Sequence, residues 1–122
     1  MNMSKIFIVF GHHNTKNSFN SIIRDTFIEE AKKVGHEIDL INLHEEQQLS
    51  FFDGSTPTKQ ILDYRKRLEK CDIMFMISPC YNLRATAILE NWIDHVLAPK
   101  WFFSFHRVVG NWGYPVAGMM KN

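Results

Sequence analysis

Two runs of five consecutive apolar residues, Ile6-Phe7-Ile8-Val9-Phe10 and Ile73-Met74-Phe75-Met76-Ile77, constrain this chain more than anything else in it. Side chains alternate faces along a strand, so an all-apolar run needs both faces covered, as in a parallel sheet with helices on each side. Gly11 ends the first run, and Ser78-Pro79 breaks the second. Residues 36 to 43 instead alternate, with Ile38, Leu40 and Leu43 set against Glu37, Asp39 and Asn42, which predicts an edge strand with water on one side.

The intervening segments read as helices. Ser18 suits an N-cap, and Phe19, Ile22, Ile23, Phe27, Ala31 and Val34 form an apolar stripe up to Gly35, the left-handed C-terminal position. Residues 44 to 56 carry a turn signal at Asp53-Gly54, and Thr56 before Pro57 predicts the next helix start, with a thin stripe of Ile61, Leu62, Leu68 and Cys71. Thr86 is placed to cap a third helix bearing Ala87, Ile88, Leu89, Trp92, Ile93, Val96 and Leu97, stopped by Pro99. An order of βαβαβα with right-handed crossovers gives an α/β, doubly wound parallel sheet of strand order 2-1-3. Residues 100 to 122 show no clean helix or strand pattern, although six aromatics (Trp101, Phe102, Phe103, Phe105, Trp112 and Tyr114) cluster there.

Length and charge narrow the function classes. At 122 residues the chain makes one domain, residues 1 to 122. Lys and Arg total 14 against 13 for Asp and Glu, so no basic field points to a nucleic-acid or anionic-membrane partner. No apolar run approaches the roughly 18 residues of a membrane span. The N-terminal run is too short for the apolar region of a secretion signal and is read as a strand. Cys71 and Cys80 form neither a CxxC pair nor a zinc pattern, which fits a reducing cytoplasm.

In open α/β sheets ligands bind where strand order reverses, here the loops of residues 11 to 20 and 79 to 86. The first loop runs into a helix start, whose free N–H groups and positive dipole end suit a phosphate; a capped helix with a polar connector is the plainer reading. Neither G-x-G-x-x-G nor G-x-x-x-x-G-K-[ST] is present. His12-His13 has no third ligand near in sequence, so no metal is expected, and His36, His44, His95 and His106 have surface or packing explanations. Cys80 has only Arg84 nearby and reads as an inert side chain. In the second loop a planar ring could stack on Tyr81 while Asn82 and the backbone meet its polar edge, against a bare surface turn.

Residues 6 to 20, Ile-Phe-Ile-Val-Phe-Gly-His-His-Asn-Thr-Lys-Asn-Ser-Phe-Asn, resemble the opening of the flavodoxin-like NAD(P)H dehydrogenase (quinone) family, with His13, Ser18, Phe19 and Asn20 on its pattern. Gly35-His36-Glu37 with the following Ile-Asp-Leu is similar to that family's second strand, and Ala87 to Leu97 resembles its third helix. Pro79-Cys80-Tyr81-Asn82 looks more like the Pro-x-Tyr-Asn loop of the related FMN-dependent azoreductases. The resemblance implies FMN, with FAD as the alternative, NAD(P)H as co-substrate, and a quinone or similar small molecule as electron acceptor. It assigns His13, Asn17, Ser18, Phe19 and Asn20 to the phosphate and ribityl end, and Pro79, Cys80, Tyr81, Asn82 and Leu83 to the ring. Trp101, Phe102 and Phe103 become candidates for the acceptor pocket or for packing in a homodimer interface. In that family a fourth strand, a Thr-Thr-Gly-Gly loop and a fifth strand follow, and Met119 to Asn122 fall where the fourth strand is expected to begin. The alternative is a truncated or regulatory flavodoxin-like protein without catalysis.

Overall fold

The computed structural model describes residues 2–116 and Gly118. A three-stranded parallel sheet is built from β1 (Lys5–Phe10), β2 (Glu37–Asn42) and β3 (Ile73–Ile77) in the order β2-β1-β3, as the apolar runs predict. Register runs from Ile6 opposite Ile38 and Ile73 to Phe10 opposite Asn42 and Ile77. Helix α1 (Phe19–Lys33) covers one face; α2 (Lys59–Glu69) and α3 (Ala87–Val96) cover the other. The central strand divides its side chains between two cores. Ile6, Ile8 and Phe10 meet Ala31, Phe27 and Ile28 of α1, while Phe7 and Val9 meet Ile61, Tyr64, Leu68, Leu89, Trp92 and Val96. Trp92 Nε1 is sealed from solvent without a hydrogen-bond partner, the one such side-chain atom among the described residues.

Four sequence expectations are corrected. The buried face of α1 carries Ser21, Arg24 and Ala31, so Phe19, Ile22, Ile23 and Val34 point outward, Phe19 with 76% of its surface exposed. The rotation is possible because both inward polar groups are satisfied: Ser21 completes a capping box with Ser18, and Arg24 is bonded to Thr15, Asp25 and Asn42. Strand β2 does not show water on one side. Ile41 is buried against α2, and Asp39 accepts from Arg67 Nε at 3.1 Å and Nη2 at 2.6 Å. That paired geometry makes the polar position compatible with a covered face. Helix α2 is capped by Thr58, two residues after the expected Thr56, because its hydroxyl accepts from Ile61 N; Leu62 is exposed and Tyr64 takes the inward place.

The fourth correction concerns the aromatic tail. Residues 104 to 116 form an antiparallel hairpin, β4 (Ser104–Val109) and β5 (Trp112–Val116), outside the parallel sheet. Gly110 at φ +55° and Asn111 make the connection. At Gly113 the facing strand is so close that a Cβ would strike the carbonyl oxygen of His106. The second edge of the sheet, β3, has no strand beyond it among the described residues, leaving Ile73 and Met76 partly exposed. Residues 119 to 122, where resemblance sets a fourth sheet strand, lie outside the described residues.

Candidate functional site

The two loops at the carboxyl ends of β1 and β3 are tied into one unit by a short buried network. Gly11 N donates to Ile77 O at 2.9 Å, and Thr86 Oγ1 donates to Gly11 O at 2.7 Å. Thr86 N donates in turn to Ser78 Oγ at 3.1 Å. Thr86 does stand at the N-cap of α3, but its side chain makes no cap bond, since it is spent on holding the first loop. Gly11 permits this closeness: a Cβ there would lie 3.0 Å from both Leu89 Cβ and Thr86 Oγ1.

In the first loop, Asn14 Oδ1 accepts from Asn17 N at 2.8 Å and from Lys16 N, curling the chain into the start of α1. Ser18 and Ser21 exchange backbone-to-hydroxyl bonds, and Ser18 Oγ also reaches Asn14 O. These bonds use the N–H groups of Ser18 and Ser21. The N–H groups of Phe19 and Asn20 have no partner among the described residues, so the helix start presents two open donors. Such a terminus attracts an anion. Among the residues assigned to this end, His13, Asn17 and Phe19 are exposed, whereas Ser18 and Asn20 are half-buried.

Sequence reasoning missed what steadies this loop. Buried Arg24 donates to Thr15 O at 2.8 Å and Asn42 Oδ1 at 2.9 Å, with its guanidinium 4.5 Å over the Phe10 ring. Thr15 and Asn42 then both donate to Glu45, holding its carboxyl below the usual range, with Thr15 as the larger influence. The apolar spacing carried no signal of this, because Ser21 and Arg24 break the apolar character of the face they share with Ile28 and Ala31. His12 and His13 stack at 4.5 Å, and His44 meets His13 edge-on at 6.3 Å. Burial, then the neighbouring His13 and His12, push the His44 imidazole below its ordinary value. No group of three or more His, Cys, Asp or Glu side chains among the described residues is arranged to hold a metal.

The second loop is a tight turn. Tyr81 and Arg84 exchange backbone bonds at 3.0 and 3.1 Å, and Asn82 and Leu83 between them both adopt positive φ, 49° and 63°. Two left-handed residues in succession define a type I′ geometry. Leucine is disfavoured there by about 1–2 kcal/mol, and its side chain is 97% exposed. A strained turn of this kind holds Tyr81, Asn82 and Leu83 out from the sheet end, beside half-buried Pro79 and exposed Cys80.

The third group assigned from sequence lies elsewhere. Trp101 packs under Arg65 of α2, with the guanidinium carbon 5.1 Å from its ring centre, and stacks on Phe102; Phe103 meets Phe105. Trp101 lines a cavity with Phe52, Gly54, Thr56 and Pro57, with Ile61 and Arg65 of α2 and with the end of α3, and neither sheet-end loop contributes to that lining.

The profile of a family described as flavodoxin-like fold matches residues 4–121. The chain is 25% identical over 111 residues to an FMN-dependent NADH:quinone oxidoreductase of Mycoplasmopsis pulmonis, covering 84% of this chain and 56% of that protein. It is 27% identical over 112 residues to an FMN-dependent NADH:quinone oxidoreductase 1 of Mesoplasma florum, with the same shares covered, 84% and 56%. The chain therefore spans about half the length of the curated relatives it matches, 56% in both. Among solved structures, an NAD(P)H:quinone oxidoreductase from Methanothermobacter marburgensis superposes with a TM-score of 0.69 at 22% identity, over 79% of this chain and 54% of that one. An FMN-dependent NADH-azoreductase from Bacillus anthracis, in complex with FMN, gives 0.68 at 15% identity, over 82% and 59%. At such identities the structural likeness speaks for the fold.

Proposed function

The chain belongs to the flavodoxin-like fold family, whose profile spans residues 4–121, and from that premise we propose that it is an FMN-dependent oxidoreductase of the NAD(P)H:quinone kind. One observation carries the reading: the Gly11–Thr86–Ser78 network joins an open-donor helix start to a strained aromatic turn at the same end of the sheet. An anion with a flat ring attached is the class of ligand that uses both. The names of the curated relatives support FMN over FAD and a quinone as the acceptor class.

The residues fit such a group. The Phe19 and Asn20 N–H groups would hold the phosphate, with Asn17 and His13 beside it and the Ser18–Ser21 capping box fixing the helix start. Arg24 keeps that loop in place through Thr15 and Asn42. Tyr81 offers a face for the ring, and the turn at Asn82 and Leu83 brings backbone groups to its polar edge, flanked by Pro79 and Cys80. FMN, when bound, supplies the chemistry of accepting a hydride from NAD(P)H and delivering two electrons to an acceptor. The protein's part is to hold, orient and shield, which explains a site without an evident acid or base. Trp101, Phe102 and Phe103 are proposed to border the acceptor or to pack against a second copy in a homodimer. The same proposal places the protein in the cytoplasm, in keeping with two free thiols. No helix among the described residues is long and apolar enough to cross a membrane.

The test is direct. The purified chain, titrated with FMN, is expected to acquire bound-flavin absorbance and to oxidise NADH when menadione is added. Ser18→Ala and Asn82→Ala are expected to weaken FMN retention. Protein that stays colourless with both FMN and FAD would overturn the reading, and unaltered FMN affinity in both variants would overturn the assignment of the two loops.

A further inference from the structure

On the α2–α3 face, away from the sheet end, the structure forms an open cavity of about 550 Å³ lined by Phe52, Pro57, Ile61, Arg65, His95, Lys100 and Trp101 among others. Its size lies within the range of small-molecule sites, about 300–1,000 Å³. His95 is the ninth residue of α3, so the cavity lies about 13 Å along that helix from Thr86. What makes it unusual is its charge.

Arg65 is only 8% exposed. Its Nε donates to Val96 O at 3.2 Å and its Nη2 to His95 O at 2.9 Å, so it closes the carbonyl end of α3. That contact offsets part of the charge, since a helix C-terminus carries roughly half a negative charge. No carboxylate pairs with Arg65 among the described residues. Its Nη1 makes no hydrogen bond among the described residues, yet it is not sealed from solvent. A buried cation without a counter-ion is costly, and an anion beside it removes that cost.

The surroundings add to the imbalance. Lys100 lines the same cavity and stands at φ +71°, a left-handed position disfavoured for a non-glycine residue. Its N–H is fastened to Phe103 O at 2.7 Å. His95 contributes its ring, with Nε2 2.7 Å from Ser50 O and Phe52 set edge-on at 5.3 Å. The lining contains no Asp or Glu. Two acids flank the lining in sequence: Asp94, beside His95, and Asp53, which accepts from Ser55 N at 2.9 Å and also interacts with the His95 ring. Trp101, Phe52, Pro57 and Ile61 supply an apolar, partly aromatic wall.

We infer that this cavity binds a planar aromatic carboxylate, its anionic group on Arg65 Nη1 and Lys100 and its ring system against Trp101 and Phe52. This goes beyond the flavin reading: it shares with it only Trp101, one of the residues proposed to border the acceptor, and no residue of 11–20 or 79–86 lines the cavity.

Calorimetric titration of the full chain with 2-naphthoate, and with its neutral isostere 2-naphthamide, tests the inference. Naphthoate is expected to bind at least tenfold more tightly than the amide, the difference expected when a charge-assisted hydrogen bond is lost. Arg65→Gln is expected to erase that preference. Because Arg65 also closes α3, the surface charge reversal Lys100→Glu provides an independent variant, expected to weaken naphthoate severalfold and leave the amide unchanged. Equal binding of acid and amide, or naphthoate binding unaffected by Lys100→Glu, would overturn the proposal. So would displacement of naphthoate by FMN, which would place the ligand at the sheet-end loops.

Discussion

The parallel sheet and the β4–β5 hairpin are both ladders of backbone hydrogen bonds, yet they are held by different means. Every residue of β1 from Ile6 to Phe10 is buried, between a helix on one side and two on the other. In the hairpin, only Ser104 and Val116 are even half-buried; Trp112 is 82% exposed, and Val108, Val109, Phe105 and Tyr114 also face outward. A hairpin with neither face covered is marginal in water. Stability in this molecule is therefore expected to reside in burial of the sheet, with the hairpin's ladder opening independently of it.

The largest effect should come from the tryptophan that sits in the sheet's larger core. Trp92→Ala is expected to cost about 3–5 kcal/mol in urea unfolding, whereas Trp112→Ala should change it by less than about 0.5 kcal/mol. Equal costs would break the comparison by showing that the hairpin is covered. Trp92→Phe sharpens it further, since the phenyl ring keeps the contacts with Phe7 and Tyr64 and removes the unpartnered Nε1. Its cost should be well below that of alanine.

A pair of glycines gives the next test. Gly11→Ala puts a methyl 3.0 Å from Leu89 and Thr86 in the packed junction of β1 and α3, so a loss of about 1–3 kcal/mol is expected. Gly113→Ala meets the His106 backbone instead. It should abolish cross-strand NOEs between β4 and β5 while the global midpoint stays in place. A fall in that midpoint would mean that hairpin and sheet unfold together. Below this in size stands Ser18→Ala, which removes the cap of α1 and is expected to cost about 1 kcal/mol.

The same contrast explains what could be read from sequence. A strand with both faces covered must be apolar throughout, so Ile6–Phe10 announced itself; the apolar run Ile73–Ile77 marked β3 although Ile73 and Met76 stay partly exposed at the sheet edge, and the strand order followed from the crossovers. A strand with neither face covered is under no such demand. Ser104 to Val116 consequently show no useful period, and the turn at Gly110 and Asn111 was not anticipated. The rotation of α1 was hidden for a related reason: Ser21 and Arg24 face inward because of bonds to Ser18, Thr15 and Asn42, which no apolar pattern reports. Topology located the two candidate loops. Their fastening was not legible, since Thr86 and Gly11 are 75 residues apart and a hydroxyl-to-carbonyl bond leaves no spacing signal.

The smallest expected effect probes electrostatics in the sheet-bearing half. His44 faces His13 edge-on, with His12 stacked beyond. Burial and the two neighbouring imidazoles lower its pKa in the folded protein from an ordinary 6.5. As pH falls from above 6.5 toward the lower folded value, the unfolded chain takes up the proton first, so stability is lost with falling pH across that window. His44→Gln removes this contribution and should flatten the decline of the urea midpoint between neutral and mildly acid pH. His106 packs at a tilt against Tyr114 in the hairpin, which is expected to take no part in the global transition, so His106→Gln should leave the decline as steep as before. An equal flattening by both substitutions would tie the hairpin to the sheet and break the comparison.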